Sequence, residues 1–83
     1  MNQFTEEQHR LIINAENEVR QYWRRNKNLE DLKKETYKIL SRQGIILEDG
    51  DLEDYVSAAT EFGVGDLSRC IAVINRRYPE FTE

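Results

Sequence analysis

The sequence predicts an all-α fold, a compact four-helix domain with a long N-terminal helix. The chain of 83 residues contains only four Gly and one Pro, so little of it is suited to loops and turns. Apolar side chains recur at intervals of three and four residues, the spacing that places them on one side of an α-helix. Residues preferred at helix N-termini precede three of these stretches, namely Asn28, Asp51 and Asp66.

The first helix is predicted over residues 6–26. Thr5 and Gln8 fit a capping box, in which the two side chains bond backbone N–H groups that the start of a helix leaves unpaired. At about 100° per residue, six apolar side chains fall within an arc of about 120° and predict a buried stripe. These are Leu11, Ile12, Ala15, Val19, Tyr22 and Trp23.

The second helix is predicted over residues 29–43. Asn28 is its expected N-cap, and Gly44 suits the left-handed conformation that ends many helices. Residues 45–47 form a short apolar run, which we interpret as a buried connection because no second strand is available to pair with it. The predicted buried stripe of this helix consists of Leu29, Leu32, Thr36, Ile39 and Leu40.

The third helix is predicted over residues 52–62 and the fourth over 67–78. Asp51 and Asp66 are the expected N-caps, while Gly63 and Pro79 end the two helices. Short linkers join all four helices, so residues 1–83 are expected to form a single helical domain. The predicted buried stripes are Leu52, Tyr55, Val56, Ala59 and Phe62 in the third helix, and Leu67, Cys70, Ile71, Ile74 and Tyr78 in the fourth.

Charge is distributed unevenly along the chain, whose formal net charge is −4. Residues 10–42 contain nine Lys or Arg against five Asp or Glu, residues 43–68 contain seven acids and no base, and residues 69–78 contain three Arg. The helical wheel places several basic side chains of the first helix away from its buried stripe, where they are expected to face water. A solvated face stabilised by the helix dipole is one interpretation, a protein-binding face is a second, and a phosphate-binding face is a third. The candidate partner-binding residues are Ile13, Asn17, Arg20, Arg24 and Lys27, with Trp23 at their margin as an apolar anchor.

A second hypothesis is recognition of nucleic acid or of a nucleotide phosphate. Residues 58–74 resemble a helix-turn-helix centred on Gly63, but Arg69 and Ala72 stand where such motifs bury apolar side chains. This C-terminal half is therefore only a degenerate helix-turn-helix, and the acidic run before it would repel phosphates. The alternative phosphate-binding residues are Arg20, Arg24, Lys27, Arg69, Arg76 and Arg77.

An enzyme is not expected. The single His and the single Cys, His9 and Cys70, are assigned to different helices, and Cys70 falls on a buried face where a thiol is unreactive. The acidic segment 48–54 lacks the spacing of glycine and glutamate that an EF-hand loop requires. The sequence therefore predicts no catalytic residue, no metal and no cofactor.

The function that these observations favour is a small non-catalytic protein–protein interaction module. It would act as a regulator, adaptor or inhibitor by occupying the surface of a partner protein. A cytoplasmic location is expected, because the N-terminus lacks the features of a signal peptide and one Cys cannot form an internal disulfide. No apolar run is long enough to cross a membrane. A homodimer or higher homo-oligomer is a further expectation, with the basic helix of one copy against the acidic segment of another.

Overall fold

The computed structural model describes residues 6–61 and 65–79 of the chain. In these ranges the backbone forms four α-helices and no β-strand: α1 spans Glu6–Arg25, α2 Leu29–Arg42, α3 Asp49–Ala59 and α4 Leu67–Arg77. The prediction of an all-α, four-helix fold is confirmed, and α1 is the longest of the four helices. None of the described helices combines the length and the apolar content that crossing a membrane would need.

Three of the predicted helix-end signals act as expected. The side chain of Asn28 accepts a hydrogen bond from the Asp31 N–H, and that of Asp66 accepts one from the Arg69 N–H. Gly44 has φ +82°, and the following Ile45 N–H donates to the carbonyl of Leu40 at 2.9 Å. The capping box at Thr5 lies outside the described residues, as do Phe62 and Gly63, but α3 ends earlier than predicted, at Ala59 with Thr60 as its C-cap.

The start of α3 differs from the prediction. The helix begins at Asp49 rather than at Leu52, and its N-cap is Glu48 rather than Asp51. Asp51 lies inside the first turn of α3, and its carboxylate forms ion pairs with Arg76 and Arg77 of α4. The side chain that looked like a helix-capping signal therefore joins two helices instead.

The core lies where the four helices meet, and Tyr55 is its largest fully buried side chain. The predicted stripes supply most of it, but Leu29 is 52% exposed. Because Cβ atoms tilt toward the N-terminus of a helix, a side chain in the first turn projects beyond the helix end. In the connection at 45–47, Ile46 is 41% exposed between two buried neighbours. The buried apolar residues are Ile12, Ala15, Val19, Leu32, Ile39, Leu40, Ile45, Leu47, Tyr55, Val56, Ala58, Ala59, Cys70, Val73 and Ile74.

Candidate functional site

The candidate partner-binding residues of α1, which we call its basic stripe, differ in how far they are exposed to solvent. Arg24 and Lys27 are exposed, as expected, whereas Ile13, Asn17 and Arg20 are half-buried. The side chain of Arg20 is 35% exposed, so it extends into water only in part. The cause is Glu16, which lies about 40° from Ile12 on the helical wheel and belongs to the buried side of α1.

Glu16 is 2% exposed and pairs with Arg20 one turn later in α1. The Nε of Arg20 lies 3.0 Å from Oε2 of Glu16, and its Nη2 donates to Oδ1 of Asn17 at 2.8 Å. Both side chains lie beside Gly65, at the start of the segment that enters α4. Arg20 therefore compensates a buried carboxylate of its own chain, and it is a poor candidate for direct contact with a partner.

Burial raises the pKa of the Glu16 carboxyl, and the charge and hydrogen bond of Arg20 oppose this shift only in part. A raised pKa in the folded state means that the protonated form is favoured by folding. This contribution to stability is fully present below the ordinary pKa of 4.5 and is lost as the pH rises through the folded pKa.

We therefore expect Glu16→Gln to become progressively more stable relative to the wild type as the pH is raised from about 4 to about 8. The glutamine side chain keeps the shape of glutamate and can still accept from Arg20, but it carries no charge to desolvate. Urea unfolding of both proteins at several pH values measures the difference. Glu18→Gln, at an exposed position of the same helix, controls for the loss of one charge. A stability difference between the wild type and Glu16→Gln that does not change with pH would contradict the assignment.

Trp23, Arg24 and Lys27 form what we call the Trp23 edge, at the C-terminal end of α1. Trp23 is half-buried and packs against the core. The ammonium of Lys27 lies 4.8 Å from the centroid of its ring, a cation–π contact worth about 0.5–1 kcal/mol at an exposed site. Arg24 is exposed and has no carboxylate partner among the described residues. The edge thus offers an aromatic surface and two cations at one place.

The three arginines of α4 are engaged within the chain. Arg76 pairs with Asp54 at 2.8 Å and with Asp51 at 3.5 Å, and Arg77 also binds Asp51. The hydrogen bond from Arg77 lowers the pKa of the Asp51 carboxyl. Acidic residues of segment 48–54 and arginines of α4 therefore pair with one another, and these ion pairs join α3 to α4.

Arg69 is the third of these arginines, and it pairs with Glu61 beyond the end of α3. Arg69 and Ala72 are exposed while Cys70, Val73 and Ile74 are buried, so α4 is rotated away from the orientation of a helix-turn-helix. The turn residues of that motif, 62–64, lie outside the described part of the chain.

Cys70 is fully buried in α4, and its Sγ lies 4.0 Å from the carbonyl oxygen of Tyr55. Burial and the nearby carboxylate of Glu16 raise the pKa of the thiol to about 12, so little thiolate forms at neutral pH. His9 lies on the exposed side of the first turns of α1. Among the described residues, no group of three or more His, Cys, Asp or Glu side chains is placed to hold a metal ion.

A second surface, on α2, was missed by the sequence analysis. Tyr37 is 36% exposed and separates two shallow depressions in the surface. Lys34, Lys38 and Arg42 follow one another at intervals of four residues, a spacing that the sequence does contain. This repeat is shorter and less conspicuous than the basic stripe of α1. We call Lys34, Tyr37, Lys38, Arg42 and the adjoining Leu52 the Tyr37 face.

Two candidate surfaces thus lie on neighbouring helices, the Trp23 edge on α1 and the Tyr37 face on α2. Each combines an aromatic side chain with cations that have no carboxylate partner among the described residues. Such combinations suit binding to an anionic surface. No protein-family model, curated protein or solved structure matches this chain.

Proposed function

We propose that the protein is a small non-catalytic protein–protein interaction module. It acts as a regulator, adaptor or inhibitor by occupying the surface of a partner protein. The observation that carries this proposal is the Trp23 edge, where an aromatic anchor lies beside Arg24 and Lys27 on the outside of the domain. Trp and Arg are the residues most enriched among those that dominate binding energy at protein interfaces.

The chemistry of the edge suits a partner that presents carboxylates. The guanidinium of Arg24 is planar and can bind a carboxylate through two parallel hydrogen bonds. Lys27 adds a second positive charge, and the Trp23 ring beneath it supplies apolar area. Ile13 and Asn17 continue the same side of α1 as half-buried neighbours, while Arg20 supports them from its pair with Glu16.

Phosphate recognition is supported less well. Of its six candidate residues, Arg20, Arg69, Arg76 and Arg77 form ion pairs with carboxylates of the same chain. A phosphate would have to displace those carboxylates, and they would then repel it. Only Arg24 and Lys27 of that set lack a carboxylate partner among the described residues. Nucleic-acid affinity rests on neutralising many phosphates at once, which two cations do poorly.

Capture of partners from cell lysate tests the proposal. We expect nuclease-treated lysate to yield protein bands with the wild type, and Arg24→Ala to reduce their amount several-fold, because the bidentate donor is lost. Arg10→Ala is a matched control, since Arg10 is also an exposed arginine of α1. Thermal unfolding of both variants checks that they fold.

Bands that disappear after nuclease treatment would favour the phosphate hypothesis. Equal loss in the Arg10 and Arg24 variants would show that general charge, and not the Trp23 edge, is responsible.

A cytoplasmic location and self-association are part of the same proposal. The thiol of Cys70 is free and buried, which suits a reducing compartment. For self-association, sedimentation equilibrium at tens of micromolar is the direct test, and a protein that stays monomeric there would remove the homo-oligomer.

A further inference from the structure

The Tyr37 face has an apolar floor and a basic margin. One depression is lined by Lys33, Lys34, Tyr37, Lys38 and Leu52, and the alkyl stems of the lysines contribute to its walls. It lies between α2 and the first turns of α3, since Leu52 belongs to α3. A second depression on the other side of Tyr37 extends along α2 to Arg42. The two depressions share Tyr37 and Lys38 and adjoin along α2, and we refer to the pair as the groove.

The cations in this face and beside it differ in whether they form ion pairs within the chain. Lys33 is engaged by the chain itself, because its ammonium lies 3.3 Å from a carboxylate oxygen of Glu53 and 3.6 Å from one of Glu30. Lys34 and Lys38 are exposed and have no carboxylate partner among the described residues. Arg42 is exposed too, and its Nε makes only a 3.4 Å contact with the backbone carbonyl of Lys38. Three cations are therefore available on this helix.

The spacing of these cations indicates how the carboxylates of a binding partner would have to be arranged. Lys34, Lys38 and Arg42 are four residues apart, so their Cα atoms rise by about 6 Å at each step along α2. A second helix lying along the groove repeats its own side chains at the same interval. Carboxylates one turn apart on such a helix can each face one cation.

We propose that the Tyr37 face binds an acidic amphipathic helix of a partner protein. Carboxylates one turn apart on that helix meet Lys34, Lys38 and Arg42, and an apolar side chain enters the depression between Tyr37 and Leu52. This inference rests on the proposed function as an interaction module, to which it adds a second surface and the chemical class of the partner. The mode is that of a helix seated in a shallow groove, where apolar anchors give affinity and charges fix the register.

The surroundings of the face favour this occupant over a nucleic acid. Glu35 lines the second depression, and Glu30 and Glu53 flank the first through their pairs with Lys33. These carboxylates would repel a continuous run of phosphates. A protein helix can instead place neutral or basic residues opposite them.

A second copy of this chain is also a less suitable occupant. Asp51, Glu53 and Asp54 of its acidic segment already form ion pairs within the chain, as does Glu61. Binding of all three cations of the Tyr37 face by that segment would therefore require a pair to break, because only Glu48 and Asp49 of the segment lack one among the described residues. A partner with free carboxylates has no such requirement.

The test is an NMR titration of the ¹⁵N-labelled protein with a synthetic helical peptide. The peptide carries Glu at three positions four residues apart, with one Leu between the first two, and a control peptide carries Gln in place of Glu. We expect chemical-shift changes concentrated in residues 33–42 and at Leu52, and affinity for the Gln peptide about tenfold lower.

Charge reversal locates the binding surface. Lys34→Glu/Lys38→Glu is expected to weaken binding of the Glu peptide at least tenfold. Arg10→Glu/Arg25→Glu is the matched control, because these two arginines are also exposed but lie on α1 outside the Trp23 edge; its affinity should stay within about twofold of the wild type. Tyr37→Ala tests the apolar contact separately and should also weaken binding. Circular dichroism confirms that each variant is helical.

Several results would overturn the inference. Equal binding of the Glu and Gln peptides would remove the role of charge, and shift changes centred on the Trp23 edge would place the site elsewhere. A thymidine oligonucleotide that binds this face more tightly than the Glu peptide would identify a nucleic-acid surface. Dimerisation of the protein alone that Lys34→Glu/Lys38→Glu abolishes would identify a second copy. Failure of the Glu peptide to bind the Tyr37 face does not change the expected result of the capture experiment on Arg24, so the two proposals fail separately.

Discussion

Leu32→Ala is expected to destabilise the domain by about 2–5 kcal/mol, the usual cost of truncating a fully buried leucine. Leu32 is 0% exposed in the middle of the core. A single hydrophobic core in a chain of this size supplies only roughly 3–5 kcal/mol of net stability. The variant should therefore be largely unfolded at 37 °C, and urea unfolding followed by circular dichroism measures the loss.

Leu29→Ala is the matched control for this substitution. Leu29 lies on the same helix but is 52% exposed, so it has little packing to lose. Because Leu and Ala have similar helix propensities, the expected change is within about 0.5 kcal/mol. Similar losses at the two positions would mean that Leu29 is buried, and that α2 packs in a different orientation.

The second large effect is expected at Gly65. Its φ is +87°, a conformation that L-residues rarely adopt. An added Cβ would also lie 2.8 Å from the carbonyl oxygen of Ala59 and 3.0 Å from Cδ of Arg20. Gly65→Ala combines backbone strain with displacement of these atoms, so we expect it to cost about 3 kcal/mol of folding free energy. Urea unfolding provides the measurement.

Gly44→Ala separates the two causes. Gly44 has a similar φ of +82°, but an added Cβ would meet nothing within 4 Å. Gly44→Ala is therefore expected to lower the folding stability only through backbone strain, by about 1–2 kcal/mol. If Gly65→Ala costs no more than Gly44→Ala, the close approach between the Gly65 segment and α1 is not present in solution.

The helices were predictable because their signals are local. Spacing of apolar residues and side-chain caps act within a few positions of the chain, and Asn28, Asp66 and Gly44 could be identified without knowledge of the fold. The early start of α3 was not predictable in this way. The residue expected as its cap, Asp51, instead pairs with arginines that lie far along the chain.

The candidate site was predicted less well than the fold, for a related reason. A charged residue such as Glu16 is expected on the surface when only a helical wheel is considered. In the fold Glu16 is buried, and Arg20 forms an ion pair with it. The same wheel cannot show that Arg69, Arg76 and Arg77 face carboxylates of another element. Which cations are available to a partner is a property of helix packing. The Tyr37 face was equally hidden, because Leu52 reaches it from α3.

The burial of Cys70 has a practical consequence. Since the sulfur is fully buried, an alkylating reagent can attack it only in molecules in which the core around Cys70 has opened. Cys70 is therefore a native probe of local unfolding, and it is the single Cys of the sequence. Alkylation rates under native conditions would report how often that region opens, and how a bound partner slows the opening.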